Sequence, residues 1–380
     1  MSFFIGSTLT PHPSFARRPV LLLVTLLVAS CSSTNADTQS TSSSLAALPR
    51  SESPNLAAVK PPAKPQVLKE ERIVDEELAK RPSPKQPPEL TAALLDLEKG
   101  SNEERVAKLK AKAIADLVYV RGGSFMRGDF SRLAGFDSSL TYNDDKVVRE
   151  ITLSDFWIGK YKVTYAEFDV FTDATGRQRI GMEDGDESRH PLIPTGAHWQ
   201  EAKDYCLWLG KITGHPFELP TEAQWEYAAR SRGQFFTTAT DDGHLDYGRN
   251  APTYEQAKAL TQQYVSSSFS SRYPVALFPP NPLGLYDMAY HSLEWVNDWY
   301  LKDAFSQSET RNPLGPDKGE FKVVRSWFIS NGQILGTNVL RRGWHPIPMR
   351  KGIEAKMVIR ESSNSPTLRC VVNSSPNTRP

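Results

Sequence analysis

The stretch LPTEAQWEYAARSRG, residues 219–233, carries the clearest local signal in the sequence. Pro220 precedes Thr221, whose side-chain oxygen suits an N-cap, so we predict a helix over residues 221–229. Apolar residues also recur on one helical face over residues 199–209, which predicts a second helix. The loops between and after these helices are longer than compact domains usually contain. Loops of that length are usually functional or held by bound ions.

The overall composition limits the class of protein. The chain has 380 residues, with 45 Lys and Arg against 44 Asp and Glu. At about 100–200 residues per domain, it forms one large or two ordinary domains. A formal net charge of +1 gives no field to steer a charged polymer, so we expect no nucleic-acid partner. The three cysteines have no metal-site spacing, which excludes structural zinc and thioredoxin-like chemistry.

The first residues have the pattern of an export signal. Arg17 and Arg18 precede an apolar run at 19–29 that is too short to span a bilayer but has the length of a signal-peptide core. The run ends in small residues before Cys31, which resembles the lipobox of bacterial lipoproteins. We therefore predict a signal peptide over 1–30 and lipidation of Cys31, the alternative being an ordinary signal peptide. Ser32 in place of Asp indicates an outer membrane lipoprotein that faces the periplasm.

Composition divides the rest of the chain. Residues 31–88 are rich in Ser, Pro and Lys and lack aromatic residues, which predicts a disordered tether. Residues 89–116 have helical spacing and are interrupted at Gly100. Ser101 and Glu104 form a predicted capping box for the second of two short helices. We expect this helical lead-in to pack on a domain over 117–373, followed by a tail at 374–380.

Sequence blocks in that region resemble the formylglycine-generating enzyme, or sulfatase-modifying factor, family. Besides LPTEAQWEYAARSRG, they are VYVRGGSFMRGD at 118–129, FWIGKYKVTYAEFDVF at 156–171, HWQEAKDYCLWLGKITG at 198–214, NPLGLYDM at 281–288, LEWVNDWY at 293–300 and LRCVV at 368–372. The resemblance implies a single α+β (mixed) domain with a C-type-lectin-like core and low regular secondary structure. In this family the fold is often stabilised by calcium.

The resemblance also shows which chemistry has been lost. The family's oxidase holds copper through two closely spaced cysteines, because soft thiolates select Cu(I). The corresponding segment here, 323–352, contains no cysteine, so copper-dependent oxidation is not expected. Cys206 and Cys370 are expected to be buried thiols or a single disulfide. A related branch uses iron held by three histidines, and no two of the seven histidines here have an i, i+4 spacing.

A calcium loop is partly retained. The resemblance places calcium ligands at the side chains of Asp287 and Glu294 and at the carbonyls of Tyr290 and Ser292. Oxygen ligands of this kind suit a hard divalent cation. Tyr290 and His291 replace a Gly-Asn pair, so the loop is expected to be rebuilt. In the alternative interpretation, Asp287 caps a turn and Glu294 pairs with an arginine.

Two further departures from the family pattern concern charge. Lys162 and Glu218 each reverse the sign usual at their position, which suggests that they complement each other. Basic and aromatic residues flank the altered segment, and they form either a recognition surface for a protein or anionic group or a solvated loop face. These residues are Arg325, Trp327, Arg341, Arg342, Trp344 and His345.

The sequence therefore predicts a pseudoenzyme, a lipid-anchored, non-catalytic binding or regulatory module with a periplasmic or envelope protein partner. Family members occur in bacterial secretion clusters, so the resemblance implies a secretion-system partner or an effector that this protein neutralises. The alternative is an enzyme, either a divergent oxidase or a nonheme-iron enzyme whose metal site combines His291, His345 and carboxylates.

Overall fold

The computed structural model describes residues 84–135, 147–182, 189–265, 273–330, 333–335, 338–347 and 365–373. The predicted signal peptide, Cys31 and nearly all of the predicted tether lie outside these ranges. No helix within them is both long enough and apolar enough to cross a membrane.

Helices and short strands are interspersed along the described chain. The helices are α1 (Pro88–Asp96), α2 (Asn102–Ala115), α3 (Ser131–Ala134), α4 (Tyr165–Thr175), α5 (Trp199–Thr213), α6 (Glu222–Ala229), α7 (Tyr254–Tyr264) and α8 (Ala304–Gln307). The strands are β1 (Leu117–Val120), β2 (Gly123–Arg127), β3 (Arg149–Leu153), β4 (Phe156–Gly159), β5 (Phe217–Glu218), β6 (Ser292–Trp299), β7 (Lys322–Ser330), β8 (Gln333–Leu335), β9 (Arg342–Trp344) and β10 (Val371–Asn373). The fold is thus mixed α and β, as predicted.

The strands form three small antiparallel sheets. One has the order β1-β4-β10-β5, and the second pairs β2 with β3. In the third, β7 lies between β6 and β8 and also pairs with β9. Because β10 pairs with both β4 and β5, the end of the domain joins segments distant in sequence.

The predicted helices are present, and one of them is longer than predicted. Ser101 Oγ accepts from the Glu104 backbone N–H at 3.3 Å, and Glu104 Oε2 accepts from the Ser101 N–H at 2.7 Å, which confirms the capping box. The Thr221 side chain caps α6 by accepting from the Gln224 N–H. Helix α5 continues four residues beyond the predicted end, to Thr213. It stops at Gly214, whose φ of 79° suits a residue without a Cβ.

The lead-in helices belong to the domain core. Leu94 and Leu109 are fully buried in the same apolar cluster as Phe168 of α4 and Tyr205 of α5. Lys112 of α2 donates a hydrogen bond to Glu167 of α4 at 2.8 Å. The predicted packing of the lead-in on the domain is therefore present, and it joins the hydrophobic core directly.

Candidate functional site

The side chain of Lys162 lies at the centre of the predicted calcium loop. The residue lies between β4 and α4, and its side chain is fully buried. Its Nζ donates hydrogen bonds to the carbonyls of Tyr290, His291 and Ser292 at 3.1, 3.0 and 2.7 Å. The same nitrogen lies 3.5 Å from Glu294 Oε1. Three of the four predicted calcium ligands, Tyr290, Ser292 and Glu294, therefore surround an ammonium group.

Glu294 is held mainly by Arg369. The Arg369 guanidinium donates Nε–H to Glu294 Oε2 at 2.7 Å and Nη2–H to Oε1 at 3.0 Å. Trp225 Nε1–H donates to Oε2 at 3.1 Å. Burial opposes ionisation of Glu294, but Arg369 and Lys162 outweigh it and hold its pKa below the usual value. This bidentate pair is the arginine contact of the alternative interpretation.

Asp287, the fourth predicted calcium ligand, has a different hydrogen-bond partner. Its Oδ2 accepts from the Ala276 backbone N–H at 2.8 Å, as a turn-capping carboxylate does. Burial raises the pKa of Asp287 to about 6, against the opposing effect of Lys162. Both parts of the alternative interpretation are thus present, and the loop as it stands does not fit a calcium ion.

The backbone of the loop is rebuilt, as expected from the loss of the Gly-Asn pair. Tyr290 is absent from the residues with positive φ, whereas His291 and Ser292 have φ values of 73° and 83°. The His291 ring stacks on Tyr273 with centroids 4.1 Å apart. The left-handed conformation therefore lies at His291 and Ser292 and not at Tyr290.

Lys162 and Glu218 do not complement each other, so that prediction is wrong. Lys162 faces Glu294, and Glu218 Oε2 lies 3.6 Å from Lys203 Nζ instead. The sign reversal at Lys162 was a second sequence signal of the altered loop, beside the loss of the Gly-Asn pair, but the sequence alone did not connect it with the loop. Its partners, the carbonyls of residues 290–292 and Glu294, are about 130 residues away in sequence, so the contacts are visible only in the folded structure.

A second buried cluster lies under the predicted recognition surface. Arg341 binds Glu222 through Nε and Nη2, both at 2.8 Å, and Arg325 Nη1 binds Glu222 Oε1 at 2.8 Å. Arg127 Nη2 lies 3.0 Å from Glu222 Oε2. Burial disfavours a charged Glu222, but these three guanidinium groups lower its pKa to about 2.

The predicted surface is therefore corrected for two of its six residues. Arg325 and Arg341 are buried and ion-paired, so they cannot contact a partner. Trp327 lies on β7, and its side chain is outside the described part of the structure. Arg342 is exposed, and Trp344 and His345 are partly exposed. We call these last three residues the β9 surface.

Two tryptophans and a lysine lie beside the β9 surface, and the sequence did not single them out. Lys322 pairs with Trp344 across β7 and β9. Its Nζ lies 3.7 Å from the ring centroids of both Trp199 and Trp299. It also donates to the Asn297 carbonyl at 2.8 Å. This cation–π contact fixes the strand below the β9 surface.

Cys206 and Cys370 form a disulfide with a Cα–Cα distance of 5.6 Å. It connects α5 to the chain just before β10, and both residues are buried. Of the alternatives left by the sequence, the structure shows the disulfide.

The histidines of the alternative metal site lie in different surroundings. His291 is buried against Tyr273, whereas His345 contacts Phe321 and its own loop at Ile347. Within the described ranges, no three His, Cys, Asp or Glu side chains form a group that could hold a metal ion.

The sequence of this chain is similar to one protein family and to several characterised proteins. Residues 102–345 match the sulfatase-modifying factor enzyme 1-like domain family. The serine/threonine-protein kinase Pkn1 of Chlamydia trachomatis is 30% identical over 235 residues, which cover 56% of this chain and 33% of the relative. The formylglycine-generating enzyme of Mus musculus is 26% identical over 257 residues, covering 56% of this chain and 66% of the relative.

Two further matches cover nearly the whole of the other protein. The chaperone protein LppX of Paenibacillus barcinonensis is 27% identical over 274 residues, covering 56% of this chain and 89% of the relative. The solved structure of PvdO from Pseudomonas aeruginosa has a TM-score of 0.52 and 22% identity, covering 68% of this chain and 94% of that one. The PvdO match supports the fold alone.

Proposed function

This chain belongs to the sulfatase-modifying factor enzyme 1-like family, and we propose that it is a non-catalytic binding or regulatory module of that family. Its partner is a periplasmic or envelope protein. Lipidated Cys31 anchors it to the outer membrane, facing the periplasm. The observation that carries the proposal is the disulfide between Cys206 and Cys370.

The disulfide matters because copper chemistry of the family type needs two thiolates. The sequence has three cysteines, and Cys206 and Cys370 are bonded to each other. The third, Cys31, is the predicted lipidation site. A disulfide has no thiolate to offer a soft metal. The domain's cysteines therefore support a structural role.

The segment corresponding to the copper site supports the same proposal. Arg325 at its start is fully buried, and it bonds both Glu222 and Glu226 of α6. A buried ion-pair network of this kind fixes the position of β7 against α6. It supplies no nucleophile or redox-active group, and function must be argued from the site rather than from the fold.

The names of the relatives support the proposal that members of this family differ in function. The relatives carry the names of a kinase, a formylglycine-generating enzyme and a chaperone, and each match covers 56% of this chain. This chain spans about a third of the length of the kinase-named relative, so that name gives no kinase activity to the matched domain. The chaperone name favours a module that contacts another protein.

The β9 surface is the contact site that we propose for the partner. Arg342 is an exposed, positively charged residue, and Trp344 is a partly exposed aromatic residue that also packs against the core. Arginine and tryptophan are enriched among residues that dominate protein interfaces. Lys322 and the two tryptophans around it hold this strand in place.

Metal analysis and a peptide assay test the proposal. The purified chain is expected to contain no stoichiometric copper or iron and to leave the cysteine of a sulfatase-type peptide unoxidised. Oxidation of that peptide, or stoichiometric copper or iron, would favour the divergent oxidase or the nonheme-iron enzyme instead. The anchor is tested separately, because palmitate labelling should disappear in Cys31→Ala.

The contact surface is tested by placing a photo-crosslinking residue at Arg342 in cells. Lys110, exposed on α2, is the matched control position. We expect one envelope protein to crosslink from position 342 and not from position 110. Crosslinks of equal yield from both positions would contradict the surface.

A further inference from the structure

The Lys162 ammonium lies among the atoms to which the resemblance assigns a calcium ion. We propose that this ammonium is a permanent replacement for the divalent cation, so that the folded domain does not depend on calcium. The inference rests on the loop alone and holds whether or not the protein binds a partner.

The hydrogen bonds of Lys162 saturate its ammonium group. A lysine ammonium has three donors and no acceptor, and three successive carbonyls, of Tyr290, His291 and Ser292, accept from it. Calcium binds oxygen ligands at about 2.3–2.6 Å, so an ion held by the same carbonyls would collide with the ammonium nitrogen. The lysine and the ion exclude each other.

The charge balance of the site agrees with this replacement. Two cations, Lys162 and Arg369, face two carboxylates, Glu294 and Asp287, and all four side chains are buried. The formal sum of their charges is zero. A calcium ion added to this set would leave two uncompensated positive charges in a buried place, which is strongly unfavourable. Without Lys162, in contrast, the set carries a net negative charge when the divalent cation is absent.

The conformation of the loop requires a restraint, and a cation can supply it. His291 and Ser292 are both non-glycine residues with positive φ, a combination that the surroundings must hold in place. Bonds from one cation to three consecutive carbonyls supply that restraint. Because the Lys162 ammonium is part of the chain, it supplies this restraint whatever the concentration of free calcium.

Two substitutions separate a cation replacement from an ordinary buried lysine. Lys162→Ala removes the charge and leaves space beside the loop oxygens, whereas Lys162→Met removes the charge but fills most of the space. Thermal unfolding of the wild-type chain and both variants would be followed in chelator and in millimolar calcium.

We expect the wild-type melting temperature to be the same in both solutions. Both variants should melt at lower temperature in chelator. Calcium should raise the melting temperature of Lys162→Ala by several degrees and leave Lys162→Met unchanged. The rise should be lost when Asp287→Ala, which removes the ligand oxygen, is added to Lys162→Ala.

Two results would overturn the proposal. One is a calcium-dependent rise in the wild-type chain that Asp287→Ala removes, which would show an ion at the loop beside the lysine. The other is a Lys162→Ala variant that calcium does not stabilise, which would make Lys162 an ordinary buried ion-pair partner. If Lys162→Ala fails to fold even with calcium, that failure also counts against a site that accepts either cation.

Discussion

At the scale of single residues, burial changes how strongly individual carboxyl groups hold their protons. Asp298 of β6 is an example, since it is almost fully buried beside Glu222. Its Oδ2 accepts from the Glu222 backbone N–H at 2.7 Å. Burial, with the nearby Glu222 charge, raises the pKa of Asp298 from 3.8 to about 7. Folding therefore favours the protonated form of this carboxyl group.

The raised pKa of Asp298 predicts a pH-dependent effect of Asp298→Asn. A carboxyl group with a raised pKa contributes stability that is complete below its unfolded pKa and is lost as the pH rises through its folded pKa. An amide does not titrate, and its oxygen can still accept from the Glu222 N–H. Relative to wild type, the free energy of unfolding of Asp298→Asn should increase by about 1–3 kcal/mol between about pH 4 and pH 7.

Urea unfolding at both pH values measures this change. Asp303→Asn is the control, because Asp303 is exposed and its left-handed conformation suits asparagine. The control should show no comparable change with pH. A pH-independent difference between Asp298→Asn and wild type would contradict the raised pKa.

At the scale of elements, the lead-in helices are part of the domain. Arg105 of α2 forms an ion pair with Asp173 of α4, and Lys112 of α2 binds Glu167 of the same helix. The apolar face of α1 buries Leu90 and Leu94. The family match begins at residue 102, so α1 lies outside the matched region although its leucines lie in the core.

Adjacent leucines of α1 give a matched pair of substitutions. Leu94 is 0% exposed and Leu95 is 39% exposed. Leu94→Ala should lower the free energy of unfolding by about 2–5 kcal/mol, since it leaves a cavity in the core. Leu95→Ala should change it by less than about 1 kcal/mol. Chemical denaturation measures both values, and similar small effects would show that α1 is detachable.

At the scale of the whole molecule, the disulfide joins parts of the domain that are distant in sequence. Cys206 and Cys370 are 164 residues apart, and the bond holds α5 next to the segment that leads into β10. An export pathway to the periplasm would allow such a bond to form and persist.

Loss of the disulfide should destabilise the domain by about 2–5 kcal/mol, chiefly because the unfolded chain gains freedom. Thermal unfolding of a Cys206→Ser, Cys370→Ser double variant should occur at lower temperature than that of wild type, and a reductant should lower the wild-type value only. Cys31→Ser is the control with one cysteine removed outside the pair. A wild-type transition unaffected by reductant, under conditions that reduce buried disulfides, would contradict the bond.

The amino-acid sequence was enough to predict the family, the α+β class, the start of α5, the position of α6 and the capping box of α2. These features depend on local patterns, namely residue order, helical spacing and side chains three positions apart. The structure decided which distant charges meet. Lys162 binds the 290–292 carbonyls rather than Glu218, and Arg325 and Arg341 are buried against Glu222 rather than exposed. The energy of a buried charge depends on partners that approach only when the chain folds, and sequence spacing contains little information about them.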